Sequence, residues 1–484
     1  MIAMGVMRQA TARGVLHFVA MLVSVVSGIV LARRLDSSSY ALYQMIARRV
    51  DQLSALPSII AGFWAYRYSA IGVKGVTRAY IVSVLLSGAI ASSIAIALAI
   101  YAGASARDII VLAAVSGFLW TMFVRYNAYT VALRPVFSEL VATIRRVTYA
   151  AMVFGLVYLA TMGLYGAFTA FIASSALGIA LLIMSTRKWL SEAMCRSCLG
   201  EWLRGAYVPT ISWAATMLAA TDAAIVTALG GSYAVAAFFA STAALSMLIE
   251  ILAVSLQHLT AYVLRTQDIE TGLRVSRIAA FISAMVCGYA MARPESVIAI
   301  MNPIYVPASR ALQIYAVGVL VTGIATPLTQ VISGTDRSRA VKPGRTIIRL
   351  ALTELTSSAI YIATLILALL LQNKLNPMEV WATSFLVRCL TRLTLVLRVA
   401  DTLTRRSFLK NTATRAAIYI AIAYTLSITL TTPGYAPQFM DNALLLLRNL
   451  ATVATIYTAL ILAIDFELRG IAMRALTTIL KHQV

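Results

Sequence analysis

The sequence predicts an all-α polytopic membrane protein of about fourteen transmembrane helices. Three observations predict it. Of the 484 residues, 61% are hydrophobic and only 12% charged, with a mean hydropathy of +0.85. Soluble domains do not carry that much apolar surface. The apolar residues also gather into runs of roughly 17–25 residues, the length a helix needs to cross about 30 Å of hydrocarbon. Finally, Lys and Arg outnumber Asp and Glu 40 to 18, and they concentrate in alternate loops, as the positive-inside rule requires. The net charge of +22 is therefore assigned to loops on one side of a membrane, and no nucleic-acid partner is expected.

The apolar runs fall near 14–32, 40–64, 79–101, 109–131, 143–162, 164–184, 208–229, 232–256, 278–298, 309–332, 347–371, 379–397, 416–432 and 443–463. The ninth is interrupted near Arg293-Pro294, and the thirteenth is short. With the N-terminus inside, most Lys and Arg fall in cytoplasmic segments, while Arg33, Arg34, Arg107, Arg293, Arg310, Lys374 and Arg448 fall outside. A missed span would invert the alternation from that point on. The pattern thus predicts a multi-pass protein of the cell membrane with both termini cytoplasmic. The first run ends in Arg33-Arg34 without a small-residue cleavage site and is longer than a signal-peptide core, so it is expected to stay as the first helix.

The longest cytoplasmic link, Ser185 to Tyr207, mixes Arg187, Lys188, Glu192, Arg196, Glu201 and Arg204. It is the expected joint between two six-helix halves, giving 1–184, a linker at 185–207, 208–400, and a final 401–484 with two further helices and a tail. An echo supports the halves. The first hairpin turns through Leu35-Asp-Ser-Ser-Ser-Tyr40 and the seventh-to-eighth through Leu229-Gly-Gly-Ser-Tyr233, both reaching the next helix through Ser-Tyr. Repeated halves around a pathway are a common transporter plan.

No nucleotide-binding glycine loop, metal motif or nucleophile–base arrangement is present, so neither a cofactor nor catalysis is expected. Cys195-x-x-Cys198 lacks the second pair or nearby histidine of a zinc site, and nothing suggests a disulfide framework. Cys287 and Cys389 sit in apolar runs and are expected to pack as small hydrophobes. His17, on the first helix, is expected to be a satisfied bundle histidine, with lining of the cavity as its alternative, and His258 and His482 are expected to be interfacial.

The informative residues are the intramembrane charges, because a charge at the bilayer centre costs about 2.5–3.5 kcal/mol on insertion scales and so faces a bundle interior or a watery cavity. Gln44, Arg48, Asp51 and Gln52 share one helical face. At about 1.5 Å per residue, Arg48 lies roughly 12 Å past the membrane edge marked by Tyr40, and Arg388 roughly 13 Å past Glu379. Arg48 and Asp51 are spaced to pair with each other. Arg388 and Arg392 have no acid on their own helix. Arg48, Arg49, Arg125, Arg388 and Arg392 outweigh Asp51, Asp222 and Glu250, and guanidinium groups bind phosphates and carboxylates in bidentate fashion. The acids are candidates to carry a coupling proton or sodium ion; for Asp222 and Glu250, hydrogen bonding with Thr221 or Ser246 is the structural alternative.

The run LARRLDSSSYALYQMIARRVDQ (Leu31 to Gln52) resembles the opening of the polysaccharide-biosynthesis flippases of the multidrug/oligosaccharidyl-lipid/polysaccharide superfamily. The matching elements are Leu31-Ala32-Arg33-Arg34-Leu35 and Tyr40-Ala41-Leu42-Tyr43. A second block, with Pro294-Glu295, Tyr305, Ala308 to Leu312 and Gly334-x-x-Arg337, is similar to that family's link from ninth to tenth helix. Ser39 replaces the usual Gly, and Asn302-Pro303 the common Phe-Gly pair. The resemblance implies two six-helix lobes around a central cavity, two extra helices, and alternating access. It also implies a polyprenyl-(pyro)phosphate-linked glycan as substrate, membrane lipids as surroundings and glycosyltransferases as pathway partners. On that expectation Arg48, Arg49, Arg388 and Arg392 bind the head group and Arg125 guards the cytoplasmic mouth. The alternative of the same fold is a multidrug or cation exporter. A membrane-embedded glycosyltransferase or ligase is disfavoured, because the outer acids Asp36, Asp108, Glu295, Glu379 and Asp441 lie singly in short loops.

Overall fold

A computed structural model describes residues 2–35, 39, 42–43, 46–101, 106–301, 303–371, 376–432, 434–435, 439–470 and 473. Among these there is no strand. The first helix, α1 (Ile2–Arg34), is followed by a π-helical turn at Ile46–Val50, the single turn Asp51–Ser54 and α2 (Leu56–Ala70). Next come α3 (Val76–Tyr101), α4 (Arg107–Thr130), α5 (Pro135–Met152, prolonged as a π-helix over Val153–Leu159) and α6 (Gly163–Leu190). The linker holds a short helix, α7 (Arg196–Arg204). The second set runs α8 (Tyr207–Ala219), α9 (Asp222–Gly230), α10 (Ser232–Leu256), α11 (Leu259–Thr266), α12 (Ile269–Ala292), α13 (Pro294–Met301), α14 (Ser309–Thr335), α15 (Arg345–Leu371) and α16 (Pro377–Val399). The chain closes with α17 (Thr402–Phe408), α18 (Thr414–Leu430) and α19 (Phe439–Ile464).

Helices occupy the place of every predicted run, and among the described residues ten helical stretches are long and apolar enough on their own to cross a membrane. The chain is an all-α polytopic membrane protein. Local chemistry sets the helix ends. Pro135 and Pro377 start α5 and α16, where a missing N–H costs nothing. The Asp268 and Asp401 side chains accept from the Thr271 and Thr404 amides and cap α12 and α17. Gly231, at φ +84°, provides the left-handed residue that turns α9 into α10.

Several expectations shift. The fifth helix starts at Pro135, not 143, because the proline marks the true start and the polar first turns are buried. The seventh run breaks at Ala220-Thr221 into α8 and α9. The thirteenth is not short, since α17 and a π-helical turn lengthen it into Thr402–Leu430. His258 is buried among its neighbours. The linker is not an open polar loop: Cys198 and Trp202 of α7 are buried, and Cys195 and Cys198 are joined by a disulfide. Most of the turn from Asp36 to Tyr40, and all of His482, lie outside the described residues.

The helices up to α6 pack chiefly on one another, as do those from α8 onward. One core cluster lies wholly among α8–α19, around Phe238, Tyr315 and Trp381. Another lies wholly in the first set, around Tyr43, Phe168 and Phe171. The two sets, called lobes below, meet mainly through α1 with α10, and α2 with α8 and α11. Hydrogen bonds between them gather at the end of the bundle that holds the linker. Arg67 donates to the Ser333 carbonyl at 3.1 Å and to that of Asp336, and the Tyr66 hydroxyl donates to the Gln257 carbonyl at 2.8 Å. From the other lobe, Arg265 donates to the carbonyls of Ala70 and Ala132 at 3.1 and 2.5 Å.

Candidate functional site

A cavity of about 430 Å³ lies between the lobes near this linked end. The first lobe contributes Phe63, Tyr66, Arg67, Tyr80, Arg125 and Tyr129, and the second Ser212, Gln257, Thr260, Gln330, Ile347 and Glu354. An adjoining hollow of about 330 Å³ shares Ile59, Phe63, Arg125 and Ser212 and adds Trp213 and Met217. The walls therefore mix aromatic and aliphatic side chains with neutral polar ones such as Ser212, Gln257, Thr260 and Gln330, and carry few charges.

The charges on the walls are engaged. Arg125, on α4, grips Asp51 with two hydrogen bonds, from Nε at 2.9 Å and Nη2 at 2.5 Å. The short turn after the π-helical stretch aims Asp51 at it. Asp51 is thus held by a helix far along the chain. Arg67 is spent on the Ser333 and Asp336 carbonyls. Glu354, on α15, accepts from Arg392 Nε of α16 at 2.6 Å. Arg392 itself does not line the cavity; the carboxylate does. A guanidinium in such a bidentate or charge-assisted bond is not free to take a second anion without giving up the first.

Arg388 lies elsewhere. Its guanidinium sits 5.5 Å from the centre of the Tyr361 ring. Tyr361 donates in turn to Asp222 at 2.8 Å, and the Trp381 indole donates to Asp222 at 3.2 Å and to the Tyr361 hydroxyl at 2.7 Å. Asp222 opens α9 just after the helix break, so its partners come from α15 and α16 rather than from Thr221 or Ser246. Ser246 instead pairs with Tyr315 at 3.2 Å. The side chains of Arg48, Arg49 and Glu250 lie outside the described ones.

Two acids escaped the sequence reading. Glu354 stands inside the predicted run 347–371, and its place in an apolar stretch was the available signal. Glu139 stands ahead of the predicted run at 143–162, yet it is buried: His17 Nδ1 lies 2.9 Å from its carboxylate and Arg13 3.8 Å. Arg13 also reaches Gln257 on the cavity wall at 3.4 Å. His17 is thus the satisfied bundle histidine expected. Arg145, near the start of the predicted run at 143–162 and not among the intramembrane charges singled out, is likewise buried, with its guanidinium 4.6 Å from the centre of the Trp120 ring. Among the described residues no group of His, Cys, Asp and Glu is arranged to hold a metal ion.

No protein-family model and no curated protein matches this chain. Solved structures do. A Vibrio cholerae MATE transporter in its bent form superposes with a TM-score of 0.64 at 14% identity, covering 85% of this chain and all of that one. An outward-facing multidrug resistance MATE family transporter of the MOP superfamily gives 0.65 at 13% identity, covering 84% and 96%. A MOP superfamily transporter from Pyrococcus furiosus gives 0.62 at 12% identity over 86% and 96%; the reverse polarity of its binding pocket is said to suggest a different function. At such identities the match shows the fold: this chain has the fold of the MATE transporters.

Proposed function

We propose that this protein is a membrane transporter that exports amphipathic organic solutes, organic cations among them, through the cleft between its lobes. The observation that carries the reading is the cavity, whose walls present four aromatic side chains and whose arginines are already bound. A phosphate head group would have to strip Arg125 from Asp51 or Arg67 from two carbonyls. A flat amphipathic solute rests on Phe63, Tyr66, Tyr80 and Tyr129, and its donor or cationic end faces Glu354, whose carboxylate accepts from Arg392 through Oε1 alone and so keeps acceptor capacity for the solute. The neighbouring multidrug transporter supports the same reading. Transport requires only that the solute bind the two access states differently.

The test is efflux of a cationic dye from cells or proteoliposomes holding the purified protein. Efflux above empty vesicles, reduced by Glu354→Gln, is expected. No dye efflux from folded protein overturns the reading.

One observation favours a second reading. The cavity wall carries two guanidinium groups, Arg67 and Arg125, against one carboxylate. This suits a polyprenyl-phosphate-linked glycan moved between leaflets, with glycosyltransferases as pathway partners and Arg48 and Arg49 as further head-group ligands. Transfer of a fluorescent polyprenyl-linked oligosaccharide across reconstituted vesicles, with no dye efflux, would establish it in place of the first.

A further inference from the structure

We infer that Cys195 and Cys198 form a thiol–disulfide switch, reduced by a dithiol protein, that controls how tightly the linker straps the two lobes together. The inference concerns the linker and goes beyond the solute reading.

The strap touches both lobes. Before the disulfide, it is seated on the α2–α3 turn of the first lobe. The Gly75 amide donates to Glu192 at 2.6 Å, and the Cys195 amide donates to the Gly75 carbonyl at 3.2 Å. Gly75, at φ +70°, lies so close that a Cβ there would run into the Ala193 carbonyl. Beyond the disulfide, α7 is wedged at the lobe boundary. Trp202 is buried against Tyr68, whose hydroxyl donates to Glu201 at 2.5 Å and accepts from the Ala340 amide at 2.9 Å. Gly205 abuts Ala340, and its carbonyl accepts from the Trp64 indole at 3.1 Å. The disulfide is a second covalent tie, besides the backbone, between the part seated on the first lobe and the part wedged between the two.

The position of the bond suits a switch better than a staple. It closes a loop with a sequence separation of 3, and so short a loop removes little chain entropy. The sulfurs are unequal. Cys198 is buried, whereas Cys195 is partly exposed at the N-cap of α7. A thiolate from the reductant can therefore reach the Cys195 sulfur. The Cys195–Cys198 bond breaks, Cys198 departs as thiolate in the first turn of α7, where unpaired backbone N–H groups favour negative charge, and a mixed disulfide forms on Cys195. The second thiol of the reductant attacks that mixed disulfide and releases Cys195. Two electrons and two protons pass to the strap, and the reductant leaves as its own disulfide. The first turn of α7 is then joined to residues 192–195 by backbone alone.

The test uses the full-length protein in detergent. Maleimide labelling before and after a dithiol reductant, read by mass spectrometry, counts the thiols. Hydrogen exchange then follows peptides spanning 190–205 and 336–344, with and without reductant, in wild type and Cys195→Ser. Labelling of Cys195 and Cys198 only after reduction is expected, together with at least threefold faster exchange in both peptides. Cys195→Ser is expected to exchange at the reduced rate and to ignore the reductant. Labelling without reductant, unchanged exchange in reduced wild type, or a Cys195→Ser variant that still responds would each overturn the switch. None of these readouts depends on which solute is moved.

Discussion

The two walls of the cavity solve one problem with opposite polarity. Each lobe holds an arginine against a carboxylate from a neighbouring segment. In the first lobe the arginine, Arg125, faces the cavity and Asp51 stands behind it; in the second the carboxylate, Glu354, faces the cavity and Arg392 stands behind. The supports differ as well. Asp51 follows a π-helical turn, whereas Glu354 and Arg392 lie in the middle of regular α-helices. A residue in an irregular stretch can be repositioned with less loss of backbone hydrogen bonding than one inside a regular helix. The first wall is thus the better candidate to move and the second to stay fixed. A cavity lined by free arginines would have had one sign; this one is dipolar.

Breaking the first pair gives the largest expected effect. Asp51→Ala leaves a partly buried guanidinium unpaired, a loss on the order of 3–5 kcal/mol for a buried pair, with transport lowered more than tenfold. Exchanging the charges (Asp51→Arg with Arg125→Asp) should recover part of the stability. Additive losses in thermal unfolding of the single and double variants would show that the pair is not coupled. Next, Glu354→Gln should cost about 1.5–3 kcal/mol, the range for a hydrogen bond to a charged group, and lower cationic dye efflux several-fold more than efflux of a neutral solute. Equal reductions for both solutes would mean that the carboxylate only braces α16.

Arg388 provides a contrast because it stands off both walls. Arg388→Ala should remove a cation–π contact worth about 1 kcal/mol and leave the transport rate within about threefold of wild type. Abolished transport in a normally inserted protein would instead make it a substrate ligand.

The smallest effect lies just past the end of the last apolar stretch, Asp441–Ile464. Asp465 follows α19 and ties it to α18 through Arg415, at 2.8 Å. Burial pushes its carboxyl upward, but hydrogen bonds from Tyr419 and the Leu468 amide, with the Arg415 charge, outweigh burial and hold it below the usual carboxylate range. A carboxyl lowered in the folded state contributes stability that is fully present above its unfolded value of about 3.9 and is lost as pH falls through the lower folded value. The melting temperature should therefore drop on acidification below about pH 4, and less so in Asp465→Asn. Equal drops in both proteins would place the acid sensitivity elsewhere.

Much of the fold was legible, because each membrane helix satisfies its own backbone and must be apolar over its whole length. Spans and most of the intramembrane charges can then be read one segment at a time. The errors came where a charged residue is buried by its neighbours rather than by its own segment. Glu139 stands ahead of the predicted run at 143–162 and Arg145 just inside it, and neither reads as a buried charge until α1, α4 and α6 close around α5. The disulfide was missed for a related reason: Cys195-x-x-Cys198 reads as an orphan pair until α7 winds the two sulfurs together.

By itself the sequence determined that this chain crosses a membrane many times, that its long helices follow one another in the order observed, and that arginines stand among them. Hydropathy and charge are summed along the chain, so the chain carries them openly. Only the tertiary structure decided what those arginines do. Arg125 meets Asp51 across 74 residues and Arg392 meets Glu354 across 38, and no spacing rule for a single helix reaches that far. Whether a buried charge is free for a ligand or already neutralised depends on which helices pack side by side, and that is settled by the shapes of many side chains at once.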